Sequence, residues 1–165
     1  LNSDANGNAW FVQNLTPVNN ADEEIKALDA LNTKTDAVFN RQKFPTLTNL
    51  SYDLDSLATI QLVDYRPNYL EYAAFNKNDG FAVFSEMYYP EGWAVTIDGK
   101  EAPHFNVNYA LRGMKVPAGE HKIVFSFEPK VVQIGSTIAL VSNILLGLLL
   151  IGGIAFSFRK PKEKE

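Results

Sequence analysis

The fold is decided in residues 121–158, which read HKIVFSFEPKVVQIGSTIALVSNILLGLLLIGGIAFSF. The first eight of these alternate, with Ile123, Phe125 and Phe127 on one face, as in a strand that is buried on one side. The part from Val131 to Phe158 contains no charged residue and exceeds the roughly 20 apolar residues that span a bilayer. The sequence therefore predicts a β-rich domain that is followed almost directly by a transmembrane helix.

Charge is distributed unevenly around the apolar segment. Residues 159–165 carry four basic and two acidic side chains, so residues 1–130 carry a net charge of −6 within the chain total of −4. By the positive-inside rule the basic tail lies in the cytoplasm and the acidic domain lies outside it. We expect an extracytoplasmic domain at 1–130, a transmembrane helix at 131–158 and a cytoplasmic tail at 159–165. The other interpretation, a buried core helix, needs a larger surrounding core than this chain supplies.

Small or polar residues recur at every fourth position along the apolar segment. Gly135, Ala139, Asn143 and Gly147 therefore lie on one stripe of the helix. Such a stripe lets another transmembrane helix approach closely, and an amide can hydrogen-bond across the contact. The alternative is that small residues are simply frequent in membrane helices. The packing interpretation predicts partner helices, and therefore a helix bundle.

Composition excludes several classes of function. A net-negative domain lacks the Lys and Arg surface that binds nucleic acid, so we expect no nucleic-acid partner. The chain has no cysteine, which removes disulfides, thiolate nucleophiles and cysteine-based metal sites. His104 and His121 have no carboxylate at a metal-binding spacing and are expected on the surface. Asp53 and Asp55 lie in an irregular polar segment, where solvated carboxylates are expected rather than a glycosidase pair. We predict no metal, no cofactor and no catalytic residue.

Short alternating runs between turn signals predict that the exposed domain is mainly β. Asn20–Leu31 is its one helix, since it begins with a capping residue and has acids in its first turn. Asp98-Gly99 predicts a two-residue hairpin turn, and a second hairpin is expected between Tyr69–Asn76 and Gly80–Glu86. The predicted fold is an antiparallel β-sandwich, jelly-roll or immunoglobulin-like, with one short helix and a single C-terminal transmembrane helix. The other expected strands are Ala9–Gln13, Thr35–Asn40, Leu57–Tyr65, Trp93–Ile97, Lys100–Pro103, Phe105–Leu111, Gly113–Val116 and His121–Glu128.

An ordered set of short motifs runs through most of the chain. It consists of GNAWFV at 7–12, YYPEGW at 88–93, IDGKE at 97–101, NYALRG at 108–113, VPAGEH at 116–121 and FSFEP at 125–129, before the membrane helix. The set resembles the C-terminal region of the YfhO family of bacterial membrane proteins. One departure is Glu91, which is inserted where the family pattern has a shorter Tyr-Tyr-Pro-Gly-Trp, so the shape of that loop stays open.

The resemblance implies a parent protein with many transmembrane helices in the bacterial inner membrane. This parent protein would be similar to glycosyltransferases that use lipid-linked sugars in cell-envelope glycan assembly. Such enzymes use an acidic residue on an early extracytoplasmic loop. This loop would lie upstream of Leu1, so no catalytic residue is carried over. The chain would then be a non-catalytic accessory domain with the last membrane helix. The alternative is a membrane-anchored β-sandwich that binds a glycan or a protein partner and has no transferase activity.

Four residues within these motifs are predicted to contact a ligand. Tyr88 and Tyr89 are adjacent, so in a strand they face opposite sides and one is exposed. An exposed ring of Tyr88, Tyr89 or Trp93 beside polar groups would stack on a sugar, although large rings in strand patterns also suit core packing. Arg112 suits an anionic group such as the phosphate of a polyprenyl-phosphate sugar, because a guanidinium binds anions in a bidentate manner. A surface ion pair is the other interpretation of Arg112.

Overall fold

The computed structural model describes residues 5–157, without the side chains of Lys130, Gln133 and Ala155. The chain divides into two units after Phe127. The first unit is β-rich, and the second contains the C-terminal helix. The described elements are, in chain order, β1 (Ala9–Val12), β2 (Asn14–Val18), α1 (Ala21–Leu28), β3 (Asp36–Asn40), β4 (Thr59–Arg66), β5 (Tyr69–Asn76), β6 (Gly80–Met87), β7 (Trp93–Ile97), β8 (Lys100–Glu101), β9 (Phe105–Val107), β10 (Leu111–Val116), β11 (Gly119–Phe127) and α2 (Lys130–Ser157).

Two antiparallel sheets form the body of the first unit. One has four strands in the order β1-β6-β10-β9, and the other has five in the order β4-β5-β11-β7-β8. The core between them is built on fully buried side chains that include Tyr72, Phe84, Met114, Ile123 and Phe125. Together with the short α1 and the apolar α2, this arrangement confirms the predicted fold class.

A second core lies on the other side of the four-stranded sheet. The parallel pair β2-β3 and the irregular segment after it cover this side, with Leu15, Phe39 and Leu47 packed against Phe81 and Val83 of β6. Strand β6 is consequently buried on both faces over its first five residues. Its continuous apolar sequence GFAVF is typical of a central strand. The parallel strand β2 was not predicted from the sequence.

The hairpin expected between Tyr69–Asn76 and Gly80–Glu86 is wrong. Strand β5 pairs with β4 and β11, whereas β6 pairs with β1 and β10, so the connection crosses from one sheet to the other. Asn76 is buried at this crossing, and its Nδ2 donates to the carbonyl oxygens of Asn78 and Pro117. Because β6 is buried on both faces and paired on both edges, it belongs in the four-stranded sheet between the two cores.

The predicted short helix and the two-residue turn are confirmed. The side chain of the N-cap Asn20 accepts a hydrogen bond from the backbone N–H of Glu23 at 2.9 Å. The helix ends at Leu28, three residues earlier than expected. Asp98 and Gly99 have φ angles of +51° and +79°, the left-handed values that a tight hairpin between β7 and β8 requires.

The second unit consists of α2 in the part of the chain that the structure describes. Within it, Ile134–Ile154 is a stretch of 21 residues that is apolar enough to cross a membrane. At 1.5 Å per residue it is about 30 Å long, which matches the hydrocarbon core of a bilayer. The expected basic tail at 159–165 lies outside the described residues.

Candidate functional site

Three of the four predicted ligand-contact residues are connected through aromatic rings. The Cζ atom of Arg112 lies 4.1 Å from the ring centre of Trp93 and 5.1 Å from that of Phe125. Trp93 in turn contacts Phe127, with 5.2 Å between the ring centres. The ring of Phe127 lies 6.5 Å from that of Tyr89, so one chain of contacts leads from a buried guanidinium to an exposed tyrosine.

The fourth residue, Tyr88, joins the same group through a histidine. Its ring centre lies 5.2 Å from that of His104, which lies 6.1 Å from Phe125. On its other side Tyr88 meets Phe44 edge to face, at 6.0 Å. We call the connected residues the Trp93–Arg112 cluster: Tyr88, Tyr89, Trp93, His104, Arg112, Phe125 and Phe127.

Strand geometry explains why Arg112 lies inside the sandwich. Residues 112, 114 and 116 share one face of β10, and Met114 and Val116 belong to the core between the sheets. The pairing of β10 with β6 shifts between Leu111 and Arg112, and the Arg112 Nε donates to the carbonyl oxygen of Met87 at 2.9 Å. The alternation of Arg112 with two apolar residues was therefore a sequence signal for burial.

Arg112 is a buried cation. The residue is 3% exposed, and its Nη1 has no hydrogen-bond partner in the part of the chain that the structure describes. Burial lowers the pKa of Arg112 and the negative charge of Glu86 opposes this, but an arginine side chain keeps its proton in either case. The faces of Trp93 and Phe125 carry the negative part of the ring quadrupole, which attracts the cation. The interpretation of Arg112 as a surface ion pair is therefore wrong.

The expectation that both histidines lie on the surface is also wrong. Burial lowers the pKa of His104 to about 4, and the positive charge of Arg112 adds to this effect. The His104 Nε2 has no hydrogen-bond partner among the described residues. The side chain of His121 is 16% exposed, and its Nδ1 lies 2.7 Å from the Asp98 Oδ2. Since β7 pairs with β11, the register of the sheet brings Asp98 and His121 together. No local motif in the sequence indicates this contact.

The exposed part of the cluster consists of three rings. Tyr89 is 50% exposed, and Trp93 and Phe127 are half-buried beside it. We call these three residues the aromatic surface. Tyr88 points elsewhere, toward Phe44, and burial raises the pKa of its hydroxyl. The two tyrosines therefore have different neighbours, although both follow β6 instead of lying within it. Flat rings at the surface can stack on the apolar face of a ligand.

A comparison with known families gives one match that covers parts of both the β domain and the apolar helix. A family model described as bacterial membrane protein YfhO matches residues 19–139, well over half of the chain. The chain belongs to the YfhO family. The match begins just before α1 and ends within α2, so the YfhO pattern covers most of the sandwich together with the start of the helix. No curated protein and no solved structure matches the chain.

The helix of this YfhO-family chain presents the predicted stripe on an open surface. Gly135, Ala139 and Asn143 are exposed on α2, and Gly147 is partly exposed. A Cβ atom added at Gly135 or Gly147 would meet no other atom within 4 Å. The surface is therefore accessible to another helix, and packing against partner helices stays a prediction.

The largest described cleft of this YfhO-family domain is lined by none of the three residues of the aromatic surface. This cleft has a volume of about 690 Å³ and is bordered by Tyr52, Asp98, Lys115 and His121. The hydrogen bond from His121 and one from the backbone N–H of Lys122 lower the pKa of the Asp98 carboxyl. Among the described residues, no group of three or more His, Cys, Asp or Glu side chains is placed to hold a metal ion.

Proposed function

We propose that this chain is the extracytoplasmic domain and an adjoining membrane helix of a YfhO-type glycosyltransferase. The parent enzyme would transfer a sugar from a polyprenyl-phosphate carrier during cell-envelope glycan assembly. The β domain itself is non-catalytic and contacts the glycan or the lipid-linked sugar. The observation that carries the proposal is the family match, because it covers most of the β domain and continues into α2.

The helix and its flanking charges support a location in the inner membrane and an orientation. Ile134–Ile154 is long enough to cross a bilayer, and the four basic residues after Phe158 favour a cytoplasmic C-terminus. We therefore assign the β domain to the outer side of the bacterial inner membrane. The stripe at Gly135, Ala139, Asn143 and Gly147 contacts other transmembrane helices of the parent protein.

The orientation can be tested directly because the chain has no cysteine. Single cysteines are introduced as Lys100→Cys, in the exposed β7–β8 hairpin, and as Lys164→Cys, in the basic tail. A membrane-impermeant maleimide added to intact spheroplasts should label the first variant and leave the second unlabelled until the cells are lysed. The opposite pattern would contradict an extracytoplasmic β domain.

Sugar contact is assigned to the aromatic surface. Tyr89 and Trp93 stack on a sugar ring, while Arg112 holds Trp93 in place from the buried side. Arg112 reaches an anionic group such as the carrier phosphate only if the segment at Met87, which now accepts its Nε hydrogen bond, moves aside. Tyr88 supports the cluster from within through His104.

Glycan binding tests this assignment on the full chain in nanodiscs. We expect the wild type to bind glycans on an array, and we expect Tyr89→Ala and Trp93→Ala to reduce the signal. Tyr65→Ala is the matched control, because Tyr65 is 63% exposed on β4 and lies outside the cluster. No binding by the wild type, or equal loss with the control variant, would refute sugar contact at the aromatic surface.

Transferase activity is tested in the parent gene. Its deletion should remove one sugar substituent from a cell-envelope glycan, and the wild-type gene should restore it. A parent carrying Trp93→Ala should restore it only partly, since the altered domain is non-catalytic. If deletion leaves every envelope glycan unchanged while the chain still binds glycans, the alternative of a binding module without transferase activity is correct.

A further inference from the structure

Aromatic side chains lie together at the end of the five-stranded sheet where β11 finishes. Phe127 is the last residue of β11, and Trp93 and Tyr69 are the first residues of β7 and β5, the two strands that flank it. The register pairs Phe127 with Trp93 and Ser126 with Tyr69. Tyr89, in the segment before β7, lies beside Phe127, with 6.5 Å between the ring centres. We call the part of the domain that these four rings define the Tyr69–Trp93 end.

The two ends of the five-stranded sheet have different surfaces. At the Tyr69–Trp93 end, Tyr89 is 50% exposed and the other three rings are half-buried, so all four reach the surface. At the opposite end, the turns carry exposed charged side chains, namely Asp79, Asp98, Lys100 and Glu120. The sheet therefore has one aromatic end and one charged end.

The chain between the β domain and the apolar run of α2 is short. Phe127 and Val131, the first residue of that run, are four residues apart, and four residues span at most about 14 Å even when fully extended. The headgroup layer of a bilayer is about 5–8 Å thick on each side of the hydrocarbon core. The other end of β11, at Gly119, lies about 26 Å further along the strand. When α2 crosses a bilayer, the Tyr69–Trp93 end is therefore the end of the sheet within reach of the lipid headgroups.

We propose that the Tyr69–Trp93 end of the β domain rests in the headgroup layer of a phospholipid bilayer. Tyrosine and tryptophan are enriched at this level of membrane proteins, because the body of the ring is apolar while its O–H or N–H stays in contact with water. Three of the four rings at this end belong to these two residue types, and the fourth, Phe127, adds apolar surface. The contact is made by the domain itself and adds to the anchoring by α2.

Rings and not charges make this contact. Arg66, the last residue of β4, is stacked on Tyr69 with its Cζ atom 4.4 Å from the ring centre, and its Nη2 lies 2.6 Å from the Asp64 Oδ2. Glu91 and Glu128 are exposed at the same end, so this surface does not attract anionic lipids. We therefore expect the contact in zwitterionic phosphatidylcholine. The inference goes beyond the proposed function and needs no glycan, because the rings meet lipid whether or not they also contact a sugar.

Tryptophan fluorescence tests the inference on the full chain in phosphatidylcholine nanodiscs. Trp10→Phe leaves Trp93 as the only tryptophan. The triple variant Trp10→Phe/Trp93→Phe/Phe75→Trp places the only tryptophan at the opposite end of the sheet, because Phe75 is 37% exposed and lies near the end of β5. Part of the lipid is then exchanged for phosphatidylcholine with a nitroxide on its headgroup, which quenches only fluorophores close to it. Quenching of Trp93 should exceed quenching in the triple variant at least about threefold.

Removal of an exposed ring separates lipid contact from the effect of the short connection to α2. In the Trp10→Phe background, Tyr89→Ser should reduce the quenching of Trp93 by about half. Phe75→Ser is the matched control, because it removes an exposed ring from the opposite end and should leave the quenching unchanged. A cooperative unfolding transition in guanidinium chloride verifies that each variant is folded.

The outcomes that overturn the inference differ from those that overturn the proposed function. Equal quenching in the two single-tryptophan chains, or quenching in neither, overturns it. Quenching of Trp93 that Tyr89→Ser leaves unchanged also overturns it, because the short connection alone then accounts for the proximity to lipid. If Trp93 is not quenched while Tyr89→Ala still lowers glycan binding, the inference fails and the proposed sugar contact stands.

Discussion

The guanidinium of Arg112 lies 4.1 Å from the ring centre of Trp93, and this contact connects the two sheets of the sandwich. Arg112 belongs to β10 of the four-stranded sheet, and Trp93 begins β7 of the five-stranded sheet. A cation in this position is removed from water and is compensated by ring faces and by one backbone carbonyl. The stability of variants at position 112 should therefore depend on cation–ring stacking and not on a salt bridge.

Arg112→Lys should destabilise the β domain more than Arg112→Met. The lysine ammonium is more strongly hydrated than a guanidinium and cannot stack in its plane, so we expect a loss of about 3 kcal/mol. Methionine removes the buried charge and fills the space, so we expect a loss of about 1 kcal/mol. Both values are measured by guanidinium chloride unfolding of the full chain in micelles, followed by the fluorescence of Trp10 and Trp93. Equal losses in the two variants would contradict the role assigned to the cation.

Gly113 lies where the four-stranded sheet meets the second core and has no room for a side chain. A Cβ atom there would lie 2.6 Å from the Phe81 Cε1 and 3.0 Å from the Val107 Cγ1, and both of these side chains are fully buried. Gly113→Ala should lower the unfolding free energy by about 2–3 kcal/mol, because the phenyl ring has no free space to enter. Guanidinium chloride unfolding of the full chain in micelles, as for the Arg112 variants, measures this loss of unfolding free energy.

Gly99→Ala is the matched control for Gly113→Ala. At Gly99 an added Cβ would meet nothing within 4 Å, but φ is +79°, so the loss should be limited to about 1 kcal/mol of backbone strain. A Gly113→Ala variant as stable as Gly99→Ala would mean that the ring of Phe81 can move aside.

Local signals predicted much of this fold, since their physics is contained in a few neighbouring residues. The cap at Asn20 and the turn at Asp98-Gly99 depend on hydrogen bonds and φ angles within four residues. The alternation of Ile123 and Phe125 indicated the buried face of β11. The helix in the long apolar run after Lys130 could be predicted without any tertiary information.

The errors concern relationships between distant segments. Nothing within Tyr69–Asn76 or Gly80–Glu86 indicates that these adjacent strands join different sheets, because strand partners are chosen by the burial of the whole molecule. The motifs identified Arg112 and Trp93 as candidate residues. The charge of Arg112 suggested a surface position, whereas its spacing from Met114 indicated the burial that is observed. The approach of His104 to Arg112 depends on side-chain packing, which the sequence does not display.

Glu24 is the buried acceptor at the left-handed turn of Tyr109, where φ is +68° and the backbone N–H donates to the Glu24 carboxylate at 3.0 Å. It is 1% exposed, and burial raises the pKa of its carboxyl, while the hydrogen bond from the Tyr109 N–H opposes that change. Glu24→Gln keeps an oxygen acceptor and removes the buried charge, so stability at neutral pH should change by less than about 1 kcal/mol. Glu24→Ala leaves the N–H unpartnered beside a cavity and should cost about 2–3 kcal/mol. If glutamine proves as destabilising as alanine in the unfolding experiment, the charge itself is required.

His104 should make the β domain less stable in mild acid. Its pKa is about 4 in the folded chain and close to 6.5 when unfolded, so between these values the unfolded state binds more protons. The unfolding free energy is therefore not reduced by His104 above about pH 6.5, and it falls as the pH drops toward 4. The full shift corresponds to about 3 kcal/mol, and solvent at the half-buried ring reduces the expected loss to about 2 kcal/mol.

Unfolding free energies measured at several pH values between these limits test the role of His104. His104→Phe keeps the ring contacts with Tyr88 and Phe125 and removes the imidazole, so its unfolding free energy should fall by about 2 kcal/mol less than that of the wild type as the pH is lowered through this range. His121→Gln is the control, because it exchanges the other histidine of the chain and leaves the ring contacts of His104 in place. The lowered pKa of its partner Asp98 means that loss of this pair acts below the unfolded pKa of the carboxyl, outside the range. A His104→Phe variant that loses as much stability as the wild type over this range would contradict the role assigned to His104.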